Sequence, residues 1–201
     1  MKRTQLALIT LVLLLALGGC TAAAPLVLPA AAVDQTQEQA VAYELLEFDV
    51  AEDHTRFAFD KSNLFDDGVP GAGTSFITQG YIYPKGTLDG TNGVLADGSP
   101  EFPDRVLGEW TCRGWMVGNG IYTESGPFGI TTQVYQFGDT YGNRTLVSDG
   151  YELADLNTPV ERAITGGTGD YVGATGEATQ QLLGMTEQMG VNLRFALKVT
   201  K

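Results

Sequence analysis

The amino-acid sequence predicts an all-β domain, either a barrel or a sandwich, behind an N-terminal targeting segment. Beyond Tyr43 the apolar runs are short and rich in Thr, Val, Tyr and Phe, the residue types that favour strands. Asp-Gly and Asn-Gly pairs interrupt these runs, which is typical of turns between strands. Residues 191–199 alternate between a face of large apolar side chains and a mostly polar face, as a half-buried strand does. A barrel has the added advantage that it leaves no open sheet edge.

The N-terminus has the layout of a lipoprotein signal. Lys2 and Arg3 precede an apolar run over residues 6–17, which is too short for a permanent transmembrane helix. Residues 17–20, Leu-Gly-Gly-Cys, resemble a lipobox, the site where bacterial lipoprotein signal peptidase cuts before a lipidated cysteine. We therefore expect residues 1–19 to be removed and Cys20 to anchor the protein to a membrane in the cell envelope, on the extracytoplasmic side. The alternative is an ordinary signal peptide followed by a chance cysteine.

The segment between the anchor and the predicted domain differs in composition from both. Residues 20–42 contain no aromatic residue and are rich in Ala, Pro, Gln and Thr. We expect them to form a flexible tether, because such a segment cannot bury enough apolar surface to fold. The folded domain is therefore placed at residues 43–201, a length that suits a single domain.

Charge and the counts of Cys and His exclude several classes of function. The chain has a formal net charge of −12 at pH 7, and nucleic acid is not expected as a partner because phosphate binding needs a basic face. His54 is the single histidine in the sequence, so neither a His-rich metal site nor a cofactor site is expected. Once Cys20 is lipidated, Cys112 is the remaining thiol. We expect Cys112 to be a buried apolar residue, with a reactive thiol as the alternative.

Nine strands are predicted beyond the tether, and the first two are expected to pair with each other. A long loop over residues 84–103 interrupts the series, because its Gly, Asn, Asp and Pro residues do not sustain a strand. The predicted strands are residues 43–50, 55–59, 74–83, 108–117, 128–137, 144–153, 160–165, 171–182 and 191–199.

A glycine-rich stretch carries a family resemblance. Residues 163–176 read Ala-Ile-Thr-Gly-Gly-Thr-Gly-Asp-Tyr-Val-Gly-Ala-Thr-Gly, which resembles the signature of the allene oxide cyclase and dirigent protein superfamily. The resemblance implies an eight-stranded antiparallel β-barrel in which this stretch links two late strands. The structural glycines would be Gly166, Gly167, Gly169 and Gly173, which permit a tight corner and close backbone approach. A phosphate-binding loop is not expected, because no Lys-Ser/Thr pair or helical pattern follows.

The resemblance also points to carboxylates in the first strand. Residues 141–150 are similar to the penultimate strand of dirigent proteins, and residues 73–83 to an earlier one. When the first strand is aligned with both relatives, Asp49 corresponds to a functional position in each of them, and Glu47 corresponds to the cyclase glutamate. The resemblance therefore implies catalytic roles for Asp49 and Glu47. The Ser-Pro pair of the cyclases is absent, however, and the insertion at residues 84–107 is not part of the plant patterns.

The sequence leaves open which strand faces line the barrel. In the first strand, Asp49 and Glu47 share one face, and Leu46, Phe48 and Val50 form the other, cleanly apolar one. If the two carboxylates were buried together, each would raise the pKa of the other, which suits a general acid.

The strand at residues 108–117 presents the same choice between its two faces. Either Arg113 and Trp115 point inward as ligand-binding residues, together with Tyr135, or Trp110, Cys112 and Met116 fill the core, and we favour the second arrangement. An inward Arg113 would suit an acidic or carbonyl-bearing ligand.

Two functions fit these observations. In the first, a lipid-anchored barrel, alone or as a dimer or trimer, binds a small hydrophobic molecule and guides its cyclisation or isomerisation, mainly by orienting it. If the protein is an enzyme, an isomerase or cyclase activity is expected. In the second, the protein is a surface lipoprotein whose barrel binds or presents molecules without chemistry.

Overall fold

In a computed structural model that describes residues 42–201, nine strands follow one another along the chain. Most bounds agree closely with the prediction, but the second strand is reduced to two residues after a short 3₁₀ helix, His54–Arg56, the seventh strand ends at residue 169 instead of 165, and the eighth begins at residue 175 instead of 171. The strands are β1 (Glu44–Glu52), β2 (Ala58–Phe59), β3 (Ser75–Pro84), β4 (Gly108–Met116), β5 (Pro127–Phe137), β6 (Arg144–Leu153), β7 (Val160–Gly169), β8 (Thr175–Met185) and β9 (Val191–Thr200).

The sheet closes into a barrel of eight antiparallel strands, which confirms the predicted fold class. From β3 to β9 each strand pairs with the next, and β1 pairs with both β9 and β3. The expected pairing of the first two strands is wrong. Since both edges of β1 are occupied by β9 and β3, the short β2 pairs with β3 as an additional ninth strand.

Alternation along each strand directs one set of side chains into the barrel. In β9 the predicted apolar face is buried, with Leu193, Phe195 and Leu197 no more than 1% exposed. Phe48 of β1 stacks on Phe195 and meets Tyr135 edge-on, so aromatic rings fill the middle of the barrel. The interior is therefore a packed core over part of its length.

The predicted long loop is confirmed, and it forms a second layer outside the barrel. Residues 85–107 lie between β3 and β4 and contain one 3₁₀ helix, Pro103–Arg105. Leu88 and Val94 of this loop pack on Ala51 and Tyr83, which face outward from β1 and β3. The hydroxyl of Tyr83 donates a hydrogen bond to the carbonyl oxygen of Gly93 at 2.7 Å. The loop thereby buries a part of the outer sheet surface.

The glycine-rich stretch completes β7 and turns the chain into β8. Gly169 has a φ of +60°, a conformation that favours glycine. Gly167 has an ordinary φ, but a Cβ there would lie 2.6 Å from the carbonyl oxygen of Thr145 and 2.7 Å from the Cβ of Tyr171. Close approach of neighbouring backbone, and not a positive φ, therefore requires glycine at position 167.

Several expectations concern residues outside the described range. The signal at residues 1–19, lipidated Cys20 and nearly all of the tether lie before residue 42. Within residues 42–201, no helix is long and apolar enough to cross a membrane.

Candidate functional site

One end of the barrel contains a cavity of about 220 Å³. Strands β1, β4, β6 and β8 end beside it, and β3, β5 and β9 begin beside it. Its walls are mainly apolar, formed by Phe57, Phe76, Met116, Phe128, Met185 and Val191 among others. Polar groups reach it from Glu52, His54, Thr78, Cys112 and Glu152.

The size of the cavity limits what it can hold. A cavity of about 150 Å³ is sufficient for benzene, whereas sites for drug-sized ligands generally have roughly 300–1,000 Å³. The present cavity therefore fits a substituted ring or a short chain. Because it is open on one side, a longer molecule could extend into solvent.

Loops at the barrel end partly cover the cavity. In the β2–β3 connection, Leu64 and Pro70 form an isolated antiparallel bridge, which places Val69 and Pro70 against the cavity. The N–H of Ile121 donates to the carbonyl oxygen of Pro70 at 3.1 Å, so the β4–β5 connection is joined to the same loop. Apolar side chains from two connections thus shield the cavity from water.

Glu152 of β6 is 3% exposed, and donors surround one of its oxygens. Its Oε1 accepts hydrogen bonds from Thr131 Oγ1 at 2.7 Å, from Gln133 Nε2 at 2.9 Å and from Cys112 Sγ at 3.2 Å. Its Oε2 accepts no hydrogen bond from the described part of the chain. Glu152 is therefore held in place by one oxygen and free to meet a ligand with the other.

Glu52 of β1 is 6% exposed and less well supported. Its Oε2 accepts a hydrogen bond from the N–H of Val191 at 2.8 Å, and among the described residues Oε1 accepts none. Burial raises the pKa of Glu52 from 4.5 to about 7, although the nearby hydroxyl of Thr78 and the N–H of Val191 partly oppose the shift; the charge of Glu152 adds to it. At neutral pH this carboxyl group is populated in both its protonated and its ionised form.

Two more buried polar atoms at the cavity have no hydrogen-bond partner among the described residues. They are the hydroxyl of Thr78 and Nδ1 of His54. Buried polar atoms are normally hydrogen-bonded, because leaving one unpaired costs about 1–3 kcal/mol. Unpaired polar atoms beside an apolar cavity are what a site for a partly polar ligand provides.

Cys112 is buried, as expected, and the structure does not support the reactive alternative. Burial raises the pKa of its thiol well above the ordinary value, and the nearby Glu152 carboxylate adds to the effect. A protonated, buried thiol is a poor nucleophile. Cys112 serves instead as a weak hydrogen-bond donor to Glu152.

Asp49 and Glu47 face outward, which settles the choice between the two faces of β1 that the sequence left open. The carboxylate of Asp49 is buried beneath the outer loop, where Oδ2 accepts from the N–H groups of Gly86 at 2.8 Å and Leu88 at 3.1 Å. Arg194 donates to both of its oxygens, at 2.8 and 3.0 Å. Glu47 pairs at the surface with Lys85. The catalytic roles that the resemblance implies for both stay a prediction, but neither lines the cavity.

The favoured arrangement of β4 is confirmed. Trp110, Cys112 and Met116 point inward and are no more than 3% exposed. Arg113 and Trp115 lie on the outer face, with Trp115 58% exposed, so they do not line the cavity. Alternation forces this outcome, because the apolar set of β4 fills the core.

Tyr135 lies inside the barrel but deeper than the cavity lining. Its hydroxyl bonds to Gln133 Oε1 and to Ser148 Oγ, each at 2.8 Å. Arg162 lies in the same buried network, where it donates to Ser148 Oγ at 3.2 Å and to the carbonyl oxygen of Thr131 at 2.8 Å. This network separates the cavity from the aromatic core and fixes the side chains behind Glu152.

The sequence contained a signal for the two cavity glutamates that the family resemblance obscured. Glu52 continues the apolar face of β1 by alternation from Val50. In β6, alternation likewise places Glu152 on the same face as Leu146 and Ser148. A carboxylate on an otherwise buried face is the pattern that marks a candidate site.

A closed eight-stranded antiparallel barrel is the fold of the dirigent proteins, and this chain has that fold. The pterocarpan synthase dirigent protein PsPTS1 superposes with a TM-score of 0.56 and 17% identity, over 79% of this chain and 94% of that one. The pterocarpan synthase dirigent protein GePTS1 gives a TM-score of 0.55 and 15% identity, over 79% of this chain and 89% of that one.

A third solved structure, named pyocyanin demethylase, matches 78% of this chain and 100% of its own with 16% identity and a TM-score of 0.49. No protein-family profile matches the chain, and no curated protein matches its sequence. At these identities the dirigent structures show the fold alone.

Proposed function

We propose that the barrel binds a small, mainly apolar molecule in the end cavity and guides a proton-transfer reaction of that molecule, such as an isomerisation or ring closure. The observation that carries the proposal is the pair of buried glutamates, Glu52 and Glu152, on the wall of an apolar cavity. Dirigent proteins of the same fold are named as synthases, and a related kind of guidance is proposed for this chain.

Glu52 is suited to the proton transfer. With its pKa raised by burial to about 7, it can act as a general base when ionised and as a general acid when protonated. An isomerisation then needs no co-reactant: Glu52 removes a proton from one carbon, and the resulting acid returns it to another. Glu152, fixed by three donors, can accept a hydrogen bond from the substrate and hold it in one orientation.

The proposal is tested with a panel of small unsaturated and phenolic compounds and the purified chain. Binding is followed by calorimetry, and conversion by chromatography of the recovered ligand. We expect Glu52→Gln to abolish conversion while binding persists, because glutamine retains the shape but not the exchangeable proton. Glu161→Gln, on the outer face of β7, is the matched control and should behave like the wild type.

The outcomes separate the two functions that the sequence allows. Binding with conversion that depends on Glu52 supports the proposal. Binding without conversion of any compound reduces the protein to a carrier, the second function. The cavity is not a binding site if two results are found together. No compound of the panel binds, and replacing Met116 with a larger residue that fills the cavity changes no measured property of the protein.

We also propose that the mature protein is attached to a membrane through lipidated Cys20, as the lipobox predicts. Labelled palmitate supplied to an expressing bacterium should be incorporated into the wild-type protein. Cys20→Ser should prevent incorporation and leave the protein unprocessed or released. Incorporation into the Cys20→Ser variant would overturn the assignment.

A further inference from the structure

We infer that the cavity selects ligands that bring their own hydrogen-bond donors, above all organic cations such as protonated amines, and that it rejects carboxylates. This inference rests on the proposed binding site and names the class of molecule that the site takes. It follows from the balance of donors, acceptors and charges around the cavity.

Two of the unpaired polar atoms at the cavity are glutamate oxygens, which accept hydrogen bonds when the carboxyl groups are ionised. Within the described residues, Glu52 Oε1 and Glu152 Oε2 accept no hydrogen bond, and His54 Nδ1 has no partner. The hydroxyl of Thr78 and Nδ1 of His54 can each donate or accept, and the hydroxyl of Thr78 lies close to Glu52. A ligand that enters the cavity therefore meets acceptors that a donor group on the ligand would satisfy.

The donors close to the cavity are already engaged. The groups of Thr131, Gln133 and Cys112 that can donate are bonded to Glu152. The indole N–H of Trp110 donates to Gln133 Oε1 at 3.2 Å. Gln188, in the turn between β8 and β9, lies at the exposed mouth. A ligand carboxylate would thus lose its hydration without receiving donors in return.

The charges point the same way. The two carboxylates on the cavity wall are Glu52 and Glu152, whose charges interact, and Asp53 adds negative charge beside Glu52. Asp53 is itself paired with Arg56 at 2.8 Å. The buried cation of the interior is Arg162, whose nitrogens bond to Ser148 Oγ and to carbonyl oxygens behind the cavity.

Arg162 can balance one carboxylate but not two. When Glu52 is ionised, the cavity therefore carries an excess of negative charge. His54 also lies on the wall, partly buried and next to Asp53 in the chain. A cation bound between the two glutamates would remove the excess, whereas an anion would increase it.

The apolar walls are compatible with a cation. Trp110, Phe57, Phe76 and Phe128 supply aromatic rings to the lining. Rings of this kind attract a cation placed over their faces and contribute about 0.5–2 kcal/mol when the cation is desolvated. The same rings accept the apolar part of an arylalkylamine, so both halves of such a molecule find complementary surface.

Three probes of similar size test the inference: 2-phenylethylamine, 2-phenylethanol and phenylacetate. They share one ring and differ in the group that they present, a cation, a neutral donor and an anion. Affinities for the full chain are measured by calorimetry at about pH 8, where Glu52 is mainly ionised, and at about pH 5.5, where it is mainly protonated. We expect the amine to bind at least about tenfold more tightly than phenylacetate at the higher pH, and to lose most of that advantage at the lower pH.

Glu52→Gln should remove the dependence of amine binding on pH, and the matched control Glu161→Gln should retain it. If 2-phenylethanol binds but the amine has no advantage over phenylacetate, the inference is wrong and the proposed binding site stands. If phenylacetate binds most tightly, the inference is also wrong. If none of the three probes binds, the inference is wrong, and the panel of unsaturated and phenolic compounds decides the proposed function separately.

Discussion

Asp49 and Glu52 are two buried carboxylates on the same strand, three residues apart, with opposite surroundings. Asp49 faces out of the barrel beneath the β3–β4 loop and accepts four hydrogen bonds, two from backbone N–H groups and two from Arg194. Glu52 faces the cavity and accepts one, from the N–H of Val191. Both side chains are at most 6% exposed, so burial does not distinguish them.

The comparison shows that two carboxylates can be buried to a similar degree and still differ in how many hydrogen bonds they accept. Asp49 is fully supplied with donors and fixes the loop to the sheet, and its charge raises the pKa of Arg194. Glu52 has less support, because the N–H of Val191 and the nearby hydroxyl of Thr78 only partly offset its burial, and its pKa is therefore raised. A carboxyl group in the second state stores free energy that a ligand can release.

The largest effect is expected from removing the saturated carboxylate. Asp49→Ala leaves Arg194 and two backbone N–H groups of the loop without their acceptor, and breaking such a pair costs about 3–5 kcal/mol of the free energy of unfolding. Because Arg194 is partly exposed, the lower part of that range is expected. Urea denaturation measures the loss, and ligand affinity should change less than twofold if the variant is folded. A loss below about 1 kcal/mol would contradict the structural role.

The surface pair of Glu47 and Lys85 provides the control for this variant. Both side chains are more than a third exposed, and exposed ion pairs contribute little to stability. Glu47→Ala should therefore leave the free energy of unfolding nearly unchanged. A large loss from Glu47→Ala would show that the outer face of β1 depends on surface charge and not on the buried contacts of Asp49.

The next effect concerns Glu52 and pH. Its folded pKa of about 7 lies above the ordinary 4.5, so the folded state holds a proton that the unfolded state has released between these values. Stability is therefore highest below about pH 4.5 with respect to this group and falls by about 3 kcal/mol as the pH rises through 7. Glu52→Gln should remove this part of the pH dependence, as measured by urea denaturation across that range. If the free energy of unfolding depended on pH in the same way for Glu52→Gln and the wild type, the raised pKa of Glu52 would be contradicted.

Gly167→Val should cost about 2–4 kcal/mol, because its side chain would overlap Thr145 and Tyr171. Gly173, in the following turn, is the matched comparison: its φ is +79°, but nothing lies within 4 Å of an added Cβ. Gly173→Ala should therefore cost only the conformational strain, about 1–2 kcal/mol. Reversal of the two losses would show that the turn conformation, not the close approach, determines the role of the glycine-rich stretch.

The smallest effect is expected for Arg113. Its side chain lies on the outer face of β4, away from the cavity, so Arg113→Ala should change ligand affinity by less than about twofold and stability by less than about 0.5 kcal/mol. Calorimetry with any compound that binds the wild type measures the first quantity. A large loss of affinity would show that the ligand binds outside the barrel. The difference between the outward Asp49 and the inward Glu52 would then no longer define the binding site.

Much of the fold could be predicted from local patterns, and part of the site could not. The alternation in residues 191–199 and the turn residues between the other strands gave nearly the observed strand bounds, because both depend on neighbouring residues. The pairing of the first two strands was wrong, since the partners of β1 are β9 and β3, far away in sequence. The sequence left the orientation of Asp49 open, because the resemblance favoured the interior and the strand pattern placed Phe48 and Val50 there; the structure follows the strand pattern.

Two similar turns show which features the local sequence determines and which depend on the tertiary structure. Residues 64–70 and 94–100 share the pattern of an aliphatic residue, two others, Asp-Gly, one other and Pro, and both form the same bridge between their ends. The sequence by itself determined these turns, because Asp-Gly favours a tight reversal through contacts within a few residues. Only the tertiary structure decided that the first covers the cavity, whereas the second lies on the outer sheet, where the hydroxyl of Tyr81 donates to Gly98.

The same division applies to the carboxylates. The sequence by itself determined which side chains of β1 share a face, since alternation is a property of the extended chain. Only the closure of the barrel and the folding of residues 85–107 over its outside decided that Asp49 meets Arg194 and two amide groups. Closure likewise brought Glu52 and Glu152, which are distant in sequence, to one cavity. Donors that come from distant parts of the chain determine whether a buried charge is satisfied, and local sequence cannot specify them.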